Sequence, residues 1–94
     1  MAILMFSDAS EDTLAHYDQV IRQLEAAGHG HPPGRQFHGA ARKGTGYVIT
    51  EVWESQEAFD RFFQIVSPLL QQVGSRPEQQ SVQILPVHNV IKGA

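Results

Sequence analysis

Cysteine is absent from the 94 residues, so no disulfide can support the fold, and the absence fits a reducing compartment. Positive charge is scarce. Seven Lys and Arg against ten Asp and Glu leave a formal charge of -3, with no basic cluster larger than Arg42-Lys43. Nucleic-acid binding needs a basic footprint that displaces counterions from phosphates, and that role is set aside. No apolar run approaches the roughly 20 residues of a membrane-spanning helix. The opening Met1-Ala-Ile-Leu-Met-Phe6 has no basic leader and meets Ser7-Asp8 too early for the apolar stretch of a signal peptide. A soluble, unprocessed, cytoplasmic protein is expected. A glycine-rich phosphate loop, a dinucleotide fingerprint and a serine nucleophile motif are all missing, which removes nucleotide-dependent enzymes and serine hydrolases. The length allows one domain, spanning 1–94, and a chain this short buries only about 60–65% of its unfolded surface. Help from oligomerisation is therefore expected.

What is present is a regular alternation of elements. Residues 2–6 are an apolar run ended by Ser7-Asp8-Ala9-Ser10, which offers helix N-caps ahead of Glu11 and Asp12. Leu14, Tyr17, Ile21 and Leu24 then recur at three- and four-residue steps, the stripe of an amphipathic helix. Gly28-His-Gly-His-Pro-Pro-Gly34 cannot continue a helix and forms a loop. Residues 36–43 and 47–54 flank Gly44-Thr45-Gly46 as a hairpin. Ser55 caps a second helix with the stripe Phe59, Phe62, Phe63, Val66, Leu69, Leu70 and Val73, and Pro68 inside it predicts a kink or a break into two helices. After Arg76-Pro77, residues 81–91 read as a last strand, bent at Pro86. The order β-α-β-β-α-β is the ferredoxin-like α+β arrangement, a four-stranded antiparallel sheet with both helices on one face. Residues 2–6 are apolar throughout, and both alternating sets of 47–53 are largely apolar, so the second face of the sheet also needs cover. A second copy packed by two-fold symmetry supplies it, giving a homodimer.

Tyr47-Val-Ile-Thr-Glu-Val-Trp-Glu-Ser55, followed by Glu57-Ala-Phe59 and a helix, resembles the strand-to-helix signature of the dimeric α+β barrel superfamily, in particular its antibiotic-biosynthesis-monooxygenase-like branch. Leu85-Pro-Val-His-Asn-Val-Ile91 is similar to the last strand of small bacterial members of that group. The resemblance covers about two-thirds of the chain and speaks to fold more than to chemistry. It implies a dimeric barrel with a ligand pocket between each sheet and its own helices. The activities it brings with it are cofactor-free oxygenation of polyketide quinols, haem degradation, polyketide cyclisation, or none.

The hairpin assigns side chains to faces. With Gly44 and Thr45 as the central turn residues, Lys43 faces Gly46, Arg42 faces Tyr47, Ala40 faces Ile49, His38 faces Glu51 and Gln36 faces Trp53. Opposed residues share a face, which clusters His38, Glu51, Trp53 and Gln36. An imidazole against a carboxylate is a usable general base or a structural hydrogen-bonded pair that satisfies two half-buried polar groups. His88, beside Asn89, either points inward as a partner for His38 or reaches solvent. Trp53, Tyr17, Gln36 and Phe63 are candidate substrate-binding residues, the aromatic ones doubling as core. His29 and His31 flank Gly30, but without cysteine or a compact carboxylate–histidine motif no metal site is expected; the loop 28–34 is instead a rim or lid. Arg35 either clamps an anion or is solvated, and His16 is assigned to the surface.

The leading functional expectation is a cofactor-independent monooxygenase-like enzyme that acts on an aromatic or polyketide-like metabolite by proton abstraction. In it His38 is the base, Glu51 its orienter and His88 an accessory group. The alternatives are a polyketide cyclase or isomerase, a non-catalytic dimer binding a small hydrophobic ligand, and a haem-binding protein with His38 or His88 as axial ligand. No cofactor is needed for the leading reading. Its partners are a second copy and a small hydrophobic or aromatic molecule, with no nucleic acid and no membrane.

Overall fold

The computed structural model describes residues 1–76 and 81–93. The elements run β1 (Ile3–Ala9), α1 (Leu14–Ala26), β2 (Arg35–Lys43), β3 (Gly46–Trp53), α2 (Gln56–Gln72) and β4 (Ser81–Pro86). This is the expected β-α-β-β-α-β order. The strands form one antiparallel sheet in the order β2-β3-β1-β4. Pro77, expected to separate the second helix from the last strand, lies outside the described residues.

Alternation sorts the sheet into two faces. Ile3, Met5 and Trp53 are buried against Val20 and Leu24 of α1 and against Ala58, Phe59 and Phe62 of α2, so both helices lie on that side. The opposite face carries Leu4, Phe6, Phe37, Val48, Val52 and Leu85, with Leu4 paired to Val52 and Leu85, and Phe37 to Val52. Phe37 and Leu85 are more than half exposed there.

The β2–β3 turn is built as the glycines require. Gly44 takes φ +61° while Thr45 stays at negative φ, the sign pattern of a type II′ hairpin. Lys43 pairs with Gly46, and His38 with Glu51. Gly46 has no room for a side chain, because a Cβ there would stand 2.0 Å from the Ala9 carbonyl oxygen. That close approach docks the hairpin against the end of β1.

Four boundaries differ from the sequence reading, each for a local reason. β1 extends to Ala9 rather than ending near Phe6, since Ser7 and Ala9 continue the buried alternation and Asp8 on the other face pairs with Lys43 at 2.8 Å. The cap of α1 is consequently Thr13, which accepts from the His16 amide, and not one of the earlier serines. Ser55 caps α2 as expected, accepting from the Ala58 amide at 3.2 Å. At Pro68 α2 does not break into two helices but runs on to Gln72. The carbonyl deprived of its bond belongs to Gln64, which is exposed along with Pro68, so water can satisfy it. Finally, β4 stops at Pro86, short of the expected 81–91, because Pro86 pairs with Ile3 at the start of β1 and past the Val87 amide, which donates to the Ala2 carbonyl at 3.0 Å, that strand offers no further partner.

Candidate functional site

Between the sheet and the two helices lies a cavity of about 90 Å³. Val20, Leu24, Phe59, Phe62, Val66 and Leu70 make most of its wall apolar. Ser7 and Tyr47 add hydroxyls to the remainder, and Tyr17, Arg35, His38 and Glu51 complete it. Tyr17 comes from α1, Arg35 and His38 from β2 and Glu51 from β3.

These four are joined. The Tyr17 hydroxyl lies 2.7 Å from Nε2 of His38, and Nδ1 of the same ring is 2.5 Å from Oε2 of Glu51. The other carboxylate oxygen accepts from the indole N–H of Trp53 at 2.9 Å. Arg35 reaches Oε2 of Glu51 at 3.4 Å and donates to the Gly30 carbonyl at 3.0 Å. Its guanidinium also lies over the Phe62 ring, 5.5 Å from the centroid, within cation–π range.

Every polar head of Glu51 is therefore spoken for, which is what lets a carboxylate only 4% exposed persist under Trp53 and Phe62. Glu51 as a carboxylate can only accept, so His38 donates through Nδ1, and in the neutral ring Nε2 offers its lone pair to the Tyr17 O–H. Burial raises the Tyr17 pKa above its ordinary value; the positive charge of Arg35 opposes this, and Glu51 and Asp18 add to it. Tyr17 is thus a neutral phenol at neutral pH. Its hydroxyl shares the cavity wall with His38 and can accept one proton while passing another back.

The expected contact of His38 with Glu51 on the helix side, beside Trp53, is present. Other expectations land elsewhere. Gln36 does not face Trp53. The register shifts between Arg35 and Phe37, Arg35 pairs with Trp53 and Phe37 with Val52, so Gln36 is the extra residue of a β-bulge and is exposed. The bulge turns Arg35 inward in its place, with its side chain 14% exposed, and the solvated alternative for Arg35 is corrected. Trp53 is wholly buried and stays behind the cavity wall, holding Glu51 instead of touching a ligand. Phe63 does line the cavity, 37% exposed. His88 lies past the end of β4, exposed and away from the cavity.

His29 and His31 are exposed, and among the described residues no three His, Cys, Asp or Glu side chains are grouped as metal ligands would be. The loop that carries them is pinned at several points. The His29 amide donates to the Leu24 carbonyl at 2.7 Å, Glu54 to the Gly34 carbonyl at 2.8 Å, and Pro32 is buried. His16 is not a plain surface residue either, since its Nδ1 lies 2.6 Å from Asp12. Asp12 also accepts from Ser75 at 2.6 Å and Tyr47 at 3.3 Å, tying the start of α1 to the segment after α2 and to β3. Haem does not fit the residues present. Both ring nitrogens of His38 are engaged, His88 stands outside the cavity, and a macrocycle exceeds the space by several-fold.

With this geometry in hand, solved structures place the architecture. The chain matches a candidate antibiotic biosynthesis monooxygenase from Deinococcus radiodurans at a TM-score of 0.64 and 16% identity, over 100% of this chain and 99% of that one. It has the fold of the antibiotic-biosynthesis-monooxygenase-like proteins. A variant of SnoaB, a cofactor-independent oxygenase from Streptomyces nogalater, matches at 0.61 and 17% identity, covering 98% and 97% of the two chains. The ActVA-Orf6 monooxygenase of Streptomyces coelicolor, solved with nanaomycin D bound, matches at 0.60 and 13% identity, covering 99% and 92%. No protein-family model and no curated protein matches the sequence. Among the described residues no helix is long and apolar enough to cross a membrane.

Proposed function

We propose that the protein is a cofactor-independent oxygenase-like enzyme that removes a proton from a small aromatic or enolic metabolite held between its sheet and helices. The observation that carries this reading is the chain Tyr17–His38–Glu51, with links of 2.7 and 2.5 Å, ending in an apolar cavity. Because both nitrogens of His38 are occupied, the substrate proton reaches it through Tyr17. As the hydroxyl takes that proton, it passes its own to Nε2, while Glu51 stabilises the imidazolium and keeps the ring in place. The resulting carbanion or oxyanion is electron-rich enough to reduce dioxygen directly, which is the step a cofactor-free oxygenation requires. An anion that instead attacks a carbonyl within the same molecule would cyclise, and the same residues serve that outcome.

This reading is supported by the fold of ActVA-Orf6 and SnoaB and by the agreement between an apolar wall and one proton-transferring group, the composition expected of a small-molecule site. The test is oxygen uptake with aromatic quinols, with no metal or cofactor added. Tyr17→Phe and His38→Ala should each reduce turnover by about 10²–10⁴-fold while the proteins remain folded. Full activity in Tyr17→Phe would show that the hydroxyl is not in the path, and full activity in His38→Ala would overturn the reading altogether.

A second copy of the chain is the proposed partner of the outer sheet face. Leu4, Phe6, Phe37, Val48 and Leu85 lie there around the buried Val52, spread over all four strands, an apolar surface of the kind that isolated soluble monomers seldom leave open.

A further inference from the structure

With His38 as a neutral ring that donates to Glu51 and accepts from Tyr17, the polar part of the cavity wall is electroneutral, the positive Arg35 facing the negative Glu51. The surrounding elements add little. Helix α2 presents only apolar side chains, and β1 presents Met5 and Ser7. The Tyr47 phenol on β3 donates to Asp12, and Asp18 on α1 acts on Tyr17 from a distance. Arg35 is the one cation in the wall among the described residues. Of its five N–H donors, two meet protein acceptors there, the Glu51 carboxylate and the Gly30 carbonyl. A guanidinium 14% exposed beside an apolar cavity, with donors beyond those two contacts, has the chemistry to pair with an anion there.

We propose that the cavity selects small aromatic or enolic acids and holds them as anions, with the acid's proton on His38 and its oxygen paired with Arg35. This rests on the reading of the cavity as a ligand site and adds the ligand's chemistry to it. The O–H bond of the acid breaks, the proton moves through the Tyr17 hydroxyl to Nε2 of His38, and the electron pair stays on the ligand oxygen. Net charge does not change. Ligand and wall together start neutral and end as an anion against a wall carrying one positive charge, where an apolar surround strengthens the attraction. An ether of the same shape has no proton to give and gains nothing from Arg35. A cavity of about 90 Å³, smaller than the 150 Å³ or so that accommodates benzene, suits a single ring better than a fused set.

Para-nitrophenol is a suitable probe, because its ionised form alone is yellow, and para-nitroanisole is its non-ionisable counterpart. Binding of either is followed by the fluorescence of Trp53, the single tryptophan of the chain, which lies one layer behind the wall against Phe62. At a pH about one unit below the probe's own pKa, wild-type protein should bind both compounds and turn para-nitrophenol yellow, an increase in its acidity of about tenfold or more. Arg35→Gln and His38→Gln should each still bind both compounds but leave the phenol colourless, and Arg35→Lys should retain part of the colour. Binding of both compounds by the wild type without colour would overturn this inference and leave the ligand-site reading standing. Colour that persists in both Gln variants would also overturn it. Failure of para-nitrophenol to bind would overturn the ligand site as well.

Discussion

Glu51→Gln keeps the shape of the side chain at the centre of the network and removes its charge. Glu51 is 4% exposed and all three of its partners are donors: His38 at 2.5 Å, Trp53 at 2.9 Å and Arg35 at 3.4 Å. A glutamine has one acceptor oxygen and one NH2 group, so in either orientation an N–H must meet an N–H. With the oxygen turned toward His38 and Arg35, the indole of the wholly buried Trp53 loses its acceptor, a cost of about 1–3 kcal/mol. Arg35 loses its counter-charge too, although it still donates to the Gly30 carbonyl and borders the cavity. The cost of about 3–5 kcal/mol for breaking a fully buried pair is therefore an upper limit. A net loss of about 2 kcal/mol is expected, lowering the Tm by about 8–16 °C for a domain of this size. Calorimetry with matched buffer decides it. A Tm within about 2 °C of wild type would refute the account of Glu51 as the acceptor on which the site is built. In turnover the variant should lose less than His38→Ala, because orientation is weakened while the base remains.

Acid should destabilise the protein in a defined window. The Lys43 hydrogen bond, helped by Ser10, holds Asp8 down at about 2. Burial pushes Asp12 up, but hydrogen bonds from Ser75, His16 and the Thr13 amide outweigh it and leave the carboxyl below its ordinary value of 3.8. Both folded values are depressed, so their contribution is complete above about pH 4 and is lost as the pH falls toward 2. Melting curves should shift down across that window, less steeply in Lys43→Met, and a flat Tm would contradict the assignment. For the outer sheet face, light scattering at micromolar concentration should give about twice the 10.4 kDa chain mass. Phe37→Asp should shift the mass toward the single chain, and a wild-type mass near 10.4 kDa would remove the dimer.

The parts of the fold legible in the sequence were those set by periodicity and by short-range steric rules. The stripe Phe59, Phe62, Val66, Leu70 specifies a helix face whatever surrounds it, and Gly44-Thr45-Gly46 admits a two-residue turn. Counting outward from that turn brought His38 to Glu51. The same count failed two residues further on, because a bulge adds a residue that no local pattern near Gln36 announces. Tyr17 was visible as a member of a helical stripe, yet its bond to His38 depends on how α1 crosses the sheet, a tertiary distance that spacing does not encode. His16 was misplaced for a similar reason. Its partner Asp12 is close in sequence, but Ser75 and Tyr47, which complete the network, come from elements more than thirty residues away.

The bulge is also where the chemistry of the site is decided, and this gives the sharpest test of the structure. Unbroken alternation from His38 would point Gln36 inward and Arg35 outward, leaving a neutral amide beside Glu51 and no cation in the wall. The observed register does the opposite, since Arg35 is opposite Trp53 and Gln36 is left over. Exchanging the two residues, Arg35→Gln with Gln36→Arg, keeps composition and net charge constant. If the bulge is held by the backbone, through the Gly34 carbonyl that accepts from Glu54 at 2.8 Å and the Arg35 amide on the Pro32 carbonyl at 3.3 Å, the arginine at position 36 will project into solvent. The double variant should then behave as Arg35→Gln alone, losing the roughly tenfold increase in acidity of a bound phenol. If instead the strand can slide to straighten the bulge, position 36 will turn inward and the effect will be restored. Full restoration would refute the register described for β2, whatever the reaction proves to be.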